Sequence, residues 1–362
     1  MRALAVALLL AVTICQVRCE EGGDGGLGFL EEGTEAPVAP CVTRPATRTT
    51  EAADKDTFEP NMDDATRDAE LLKSYASNGC LVETASQGDL AALQSEDRFQ
   101  GDIVGHTQES FSQFVKDFNA LSGMEAEGLT EEEQQMKAQS LAWGLWPNKE
   151  VPYQISNRFT EFGRAVILSA MDEFSQKSCV KFVPRTEAHK QYVTITSEDK
   201  DGCWSFVGAQ KEPQKLSLGP GCVYKGVVVH LLMHVLGYFH EQMRPDRSEH
   251  ITVVEDNIKE GQKAQFNTFD LKLMQGLDYN PESVSHYGPT YFSKDGQAAT
   301  LVTKKDGVEI GQRVGLSDGD ALFITQLYEC PAEGEAFLSL FVTGLRFLAP
   351  LFLKTAAALA AG

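Results

Sequence analysis

Residues 227–247, VVVHLLMHVLGYFHEQMRPDR, decide how this chain is read. His230 and His234 are spaced i, i+4, so on a helix they share one face and two imidazoles meet one ion. Val227, Val228, Val229, Leu231, Leu232, Val235 and Leu236 make that helix apolar nearly all round, as a helix buried in a core is. Gly237 can take a left-handed backbone, end the helix and turn the chain so that His240 reaches the same point. Three neutral imidazoles with an open fourth position suit a catalytic zinc better than a closed structural one. A core helix with scattered histidines is the alternative, and it leaves the register of Gly237 and His240 without a reason.

The run resembles the HExxHxxGxxHE signature of the astacin family of zinc metalloendopeptidases, a branch of the metzincins, and continues in the family-like RPDR of Arg244 to Arg247. Ser283 to Gly288, SVSHYG, is similar to the family's SVMHYG turn, and Tyr287 matches its tyrosine. Phe99 to Ile103, FQGDI, resembles the FxGDI segment of astacin propeptides, with Asp102 on the aspartate. The likeness runs from about Phe99 to Cys330 and includes WPNKEVPYQI at Trp146 to Ile155.

The resemblance implies an α+β fold: a two-lobed metzincin-like catalytic domain with an active-site helix, a cleft between the lobes, and a partly disordered propeptide before it. It implies one Zn(2+) per chain on His230, His234 and His240, with Tyr287 as an additional, movable ligand. Asp102 is then the zymogen's switch, occupying the metal, and Glu241 anchors the mature N-terminus from behind the ligands. An architecture without further modules resembles that of hatching enzymes. Protein or peptide substrates follow from the family.

Two residues depart from the pattern. Leu231 stands where the family has the glutamate that acts as general base and proton shuttle, and Ser285 stands where it has the methionine beneath the zinc. A positioned acid/base contributes ~10²–10⁴-fold in rate, and a leucine supplies none of it. Loss of the methionine removes a soft, space-filling group and loosens the site more than it empties it. Three readings follow: a metalloendopeptidase that hydrolyses peptide bonds by zinc-activated water with impaired activity, a zinc-binding pseudoprotease acting as a protein-binding or decoy module, and an extracellular structural protein with a decayed site. The retained histidines, Tyr287, Asp102 and cysteines count against the third.

Composition fits a secreted zymogen. Residues 1–19, with Arg2 before an apolar stretch and small residues near Cys19, predict a secretory signal peptide too short to span a membrane. The formal charge of −20 is uneven: residues 20–137 carry −18 and residues 138–330 only −4. The acidity belongs to the proregion, and its sign excludes nucleic-acid phosphate as a partner. Glu20 to Asp64 is rich in Gly, Glu, Pro and Thr and reads as disordered. Weak helical periodicity over Ala65 to Leu93 suggests a segment packed on the peptidase part. Gly105 to Gln135 reads as solvated and protease-accessible, with a docked helical arm as the alternative. Cleavage after Lys137 by a trypsin-like protease would start the mature chain at Ala138.

Cys15 and Cys19 fall in the signal peptide, and Cys179, Cys203, Cys222 and Cys330 fall in the peptidase part. Four cysteines allow three pairings; the resemblance selects Cys203–Cys222 and Cys179–Cys330. Cys41 and Cys80 are left for the proregion. Val151 to Ile155 and Tyr192 to Ser197 predict strands, Glu161 to Gln176 an amphipathic helix, and Ser317 with Asp320 the start of a last helix. Residues 331–362 form a hydrophobic tail broken by Arg346 and Pro350; its role is open between none assigned, weak membrane association and a lipid-anchor signal.

Overall fold

The computed structural model describes residues 62–77, 85, 90–122, 144–197, 202–270 and 277–331. The expectations for the signal peptide, Cys41, Cys80, cleavage after Lys137 and the tail from 332 onward concern residues outside this set. Five α-helices lie within it: α1 (Met62–Ser77), α2 (Gln108–Ser122), α3 (Glu161–Lys177), α4 (Lys225–Val235) and α5 (Asp318–Leu327).

Strands β1 (Glu150–Ile155), β2 (Lys181–Pro184), β3 (Val193–Thr196), β4 (Cys203–Ser205) and β5 (Gln214–Leu218) form one sheet in the order β2-β1-β3-β5-β4. The first four in that order are parallel, whereas β4 runs antiparallel to β5 along an edge. A parallel pair needs a crossover, and α3 supplies it between β1 and β2. The Thr160 hydroxyl caps α3 by accepting from the Gly163 amide at 3.2 Å, and Val166, Ile167, Ala170, Met171 and Phe174 form its buried stripe. That stripe packs α3 on α4 and on the sheet. Every residue of α4 from Gly226 to Val235 is buried, which accounts for its apolar composition on all sides.

After His240 the chain builds a second part from short 3-10 turns, the antiparallel pair β6 (Ile251–Val253) and β7 (Leu301–Thr303), and α5. Ser317 and Asp320 close a capping box at the start of α5. One disulfide, Cys179–Cys330, joins the segment after α3 to the segment after α5; the other, Cys203–Cys222, joins β4 to the approach to α4.

Helix α1, ahead of the sheet, packs on α3. Asp68 of α1 accepts from Arg164 Nη2 of α3 at 2.9 Å, and Tyr75 meets Phe162 edge-on. This helix begins at Met62, just inside the stretch that composition marks as disordered. The solvated reading of 105–135 is corrected over residues 108–122, where the docked helical arm holds; residues 123–135 lie outside the described set. Residues 108–122 are helical, and Phe111, Val115 and Phe118 are buried in a cluster with Val207, Phe239, Met243 and Phe269. Their i, i+4, i+7 spacing gives one apolar face, and burying it outweighs the hydration of the polar one. No helix among the described residues is long and apolar enough to cross a membrane.

Candidate metal centre

Three of the predicted ligands come from α4 and the turn after it. His230 and His234 project from one face of α4. Gly237, at φ 104°, then reverses the chain in a conformation that a side chain would strain. The carbonyls at the end of α4 are held from three separate segments: the Gly208 amide donates to His234 O at 2.8 Å, Trp146 Nε1 to Val235 O at 2.8 Å, and Tyr328 Oη to Leu236 O at 3.1 Å. The helix end therefore has fixed partners where it must aim His234 and His240.

Each imidazole is oriented from behind. His230 Nδ1 donates to Val284 O at 2.9 Å, His234 Nδ1 to Tyr238 O at 2.7 Å, and His240 Nδ1 to Gln100 Oε1 at 2.9 Å. Backbone carbonyls only accept, so His230 and His234 carry a hydrogen on Nδ1, which in the neutral ring leaves the lone pair on Nε2. All three Nε2 atoms turn toward Asp102. Its Oδ2 lies 2.6 Å from His230 Nε2, and its Oδ1 lies 3.1 Å from His240 Nε2 and 3.5 Å from His234 Nε2. The four ligand-type atoms lie within 4.8 Å of one another, and all four residues are buried.

Those contacts bring acceptors together. Asp102 Oδ1, His234 Nε2 and His240 Nε2 are buried without a hydrogen-bond partner. Burial, with Arg313 as a second cause, pushes His230 down to about 3, and burial pushes His240 down to about 4, which keeps these rings neutral. Burial also opposes the charge of Asp102, and its carboxyl falls well below the ordinary range where His240, His230 and His234 around it carry charge and His230 donates to it, so among neutral rings its charge needs a cation beside it. Three imidazole nitrogens and a carboxylate that converge on one buried point, three of their atoms without a hydrogen-bond partner, form a site for a cation. The donor set, N3O without a thiolate, suits zinc.

Asp102 is delivered by main-chain pairing. Ser205 N donates to Asp102 O at 2.9 Å and Val104 N to Ser205 O at 3.0 Å, so the FQGDI segment lies along the free edge of β4. Tyr287 is wholly buried, with its ring 4.9 Å from that of His240, and its hydroxyl donates to Gln100 O at 2.8 Å. Gln100 thus orients His240 and engages Tyr287, and the sequence reading passed over it; its place beside Gly101 and Asp102 was the available signal. Arg313 was missed as well. Its guanidinium is buried behind the site, donating to His286 O and Tyr291 Oη at 3.0 Å each.

Leu231 is fully buried between the two α4 histidines. Glu241 accepts from the Tyr238 hydroxyl and, at 2.6 Å, from Asn280 N, while burial pushes its carboxyl up to about 7. Its carboxylate is thus committed to Tyr238 and Asn280. Ser285 is buried too, and its hydroxyl has no partner.

The family model for astacin, a peptidase family, matches residues 138–329. Zinc metalloproteinase nas-15 of Caenorhabditis elegans is 39% identical over 249 residues, covering 68% of this chain and 42% of that protein. Zinc metalloproteinase nas-4 of the same organism is 45% identical over 190 residues, covering 51% of this chain and 59% of that one. The chain spans about half the length of the curated relatives it matches. Among solved structures, high choriolytic enzyme 1, a hatching-enzyme zinc-protease from Oryzias latipes, is 33% identical with a TM-score of 0.49, over 54% of this chain and 97% of that one.

Proposed function

Since the chain belongs to the astacin family of zinc metallopeptidases, we propose that it is a secreted metalloendopeptidase made as a zymogen, whose hydrolysis of protein substrates is impaired by Leu231. The observation that carries this reading is the pairing of a complete ligand cluster with an apolar residue in the base position.

In this reading His230, His234 and His240 hold one zinc, and Asp102 blocks the remaining position until the proregion leaves. Zinc held there supplies a Lewis acid that polarises the scissile carbonyl and acidifies water. The edge of β4, freed of residues 102–104, aligns the substrate main chain. Tyr287 is then released from Gln100 O and can donate to the oxygen that gains charge as the peptide bond is attacked. What the chain fails to supply is the next step. Leu231 has no atom to take a proton from water or to return it to the departing amine, and Glu241 is held elsewhere by Tyr238 and Asn280. Residues 1–19 direct secretion, 20–137 form the proregion, 138–330 the peptidase domain and 331–362 a tail without an assigned role. A trypsin-like enzyme cuts after Lys137.

The test compares the secreted protein with a Leu231→Glu variant after trypsin treatment and removal of the proregion, measuring bound zinc and peptide hydrolysis together. Near one zinc per chain in both, with hydrolysis ~10²–10⁴-fold faster in the variant, is the expected result. Equal hydrolysis would show that Leu231 does not limit the reaction. Zinc without turnover in either protein would favour a binding module.

A further inference from the structure

Beyond the packing of α1 on α3, the proregion is held at two further places, and only one of them involves the metal ligands. Downstream of Asp102, α2 lays Phe111, Val115 and Phe118 into a face formed by Val207, Phe239, Met243 and Phe269. Phe111 is wholly buried, with ring centroids 4.5 Å from Phe239 and 4.7 Å from Phe269. Phe99 and Ile103, which flank Asp102, sink into the same cluster. Polar contacts tie both ends of the helix to one segment of the peptidase part: Gln108 Nε2 donates to Ala264 O at 2.8 Å, and Asn119 Nδ2 donates to Asp270 O.

We propose that this face is a helix-binding groove, and that it retains residues 99–122 as a separate, non-covalently bound chain after the covalent link to the peptidase domain is cut. The occupant is the chain's own segment, an amphipathic helix with aromatic anchors at i, i+3 and i+7, Phe111, Phe114 and Phe118. The reason is topological. A cut anywhere in 123–143 lies beyond α2 and beyond the edge pairing at β4, so it breaks none of the contacts described above for residues 99–122. Proteolysis then removes only the tether, and the effective concentration it provided, while the groove keeps Asp102 delivered to the histidines. The active-site cleft stays covered until this helix is itself destroyed or displaced. The inference rests on reading 20–137 as a proregion.

A site-specific protease sequence inserted between Glu127 and Thr130 of the full chain makes the cut defined. After cleavage, size-exclusion chromatography at low micromolar concentration should find the proregion fragment co-eluting with the peptidase domain. It should co-elute equally after chelation by 1,10-phenanthroline and in Asp102→Ala. Phe111→Ser with Phe118→Ser should release it, weakening retention roughly 100-fold or more. Should that variant not be secreted, Asn119→Asp, which sets a carboxylate against Asp270 O, should still weaken retention roughly tenfold. Release of the wild-type fragment, or release by chelation or Asp102→Ala with retention in the phenylalanine variant, would overturn the groove. Zinc content and the activity of Leu231→Glu, read on the same material, keep this failure separate from failure of the functional reading.

Discussion

Leu231 and Ser285 both replace residues that the family places at its metal, yet they act on different quantities. Leu231 fits its surroundings: it is apolar, fully buried and in a helix that is buried on all sides, so it alters chemistry and leaves the fold alone. Ser285 fits less well. Its hydroxyl is buried without a partner, whereas that of Ser283, two residues earlier, donates to Asp320 at 2.6 Å and accepts from the Ser285 amide at 3.0 Å. Removing an orphaned hydroxyl relieves a desolvation cost, while removing a bonded one strands its partners at ~1–3 kcal/mol. Ser285→Ala is therefore expected to match or exceed the wild type in stability, and Ser283→Ala to fall below it by ~1–3 kcal/mol. Urea unfolding of the two variants decides this, and a loss in Ser285→Ala as large as in Ser283→Ala would show that its hydroxyl has a partner after all.

Among the elements, α3 and α4 are joined by charge as well as by packing. Glu173 of α3 binds Lys225 at the start of α4 at 2.8 Å, Lys177 one turn on at 3.1 Å, and the Leu316 amide ahead of α5 at 2.8 Å. Burial pushes its carboxyl up, but these three partners outweigh it and hold the group below 4.5. A carboxyl with a depressed folded pKa stabilises fully above its unfolded value, and loses that contribution as pH falls through the folded one. Glu173→Gln is thus expected to lower stability at neutral pH and to flatten its decline below pH 4.5, measured by urea unfolding across the acid range. The elements that were legible in the sequence share strong local codes. Glu161 to Gln176 has a capped amphipathic stripe, Ser317 and Asp320 a capping box, and the three histidines a spacing that only a helix followed by a turn satisfies. What was not legible was docking. Phe111, Phe114, Val115 and Phe118 stood at helical spacing, but the acidity around them argued for solvent, and their receiving face is assembled from three separate segments, at Val207, at Phe239 with Met243, and at Phe269. Gln100 and Arg313 escaped notice for the same reason, because their partners are distant in sequence.

At the scale of the whole molecule, the Cys179–Cys330 bridge closes the larger loop: its cysteines are 151 positions apart, against 19 for Cys203–Cys222. Loop-closure entropy assigns ~5 kcal/mol to the former and ~3 kcal/mol to the latter. Replacing each pair by serine should reproduce that order in denaturant unfolding under oxidising conditions, and a larger loss for Cys203–Cys222 would place the greater part of its effect in native packing. The cap on α4 sets another boundary. Trp146 binds Val235 O, and Gly144 O accepts from the Ala209 amide at 2.9 Å, so Gly144 and Trp146 brace the region of the helix that carries His230 and His234. Exopeptidase digestion that enters through a cut before Gly144 should therefore give a ladder that goes no further than Gly144. Any rung beyond it should belong to protein that has let go of its metal.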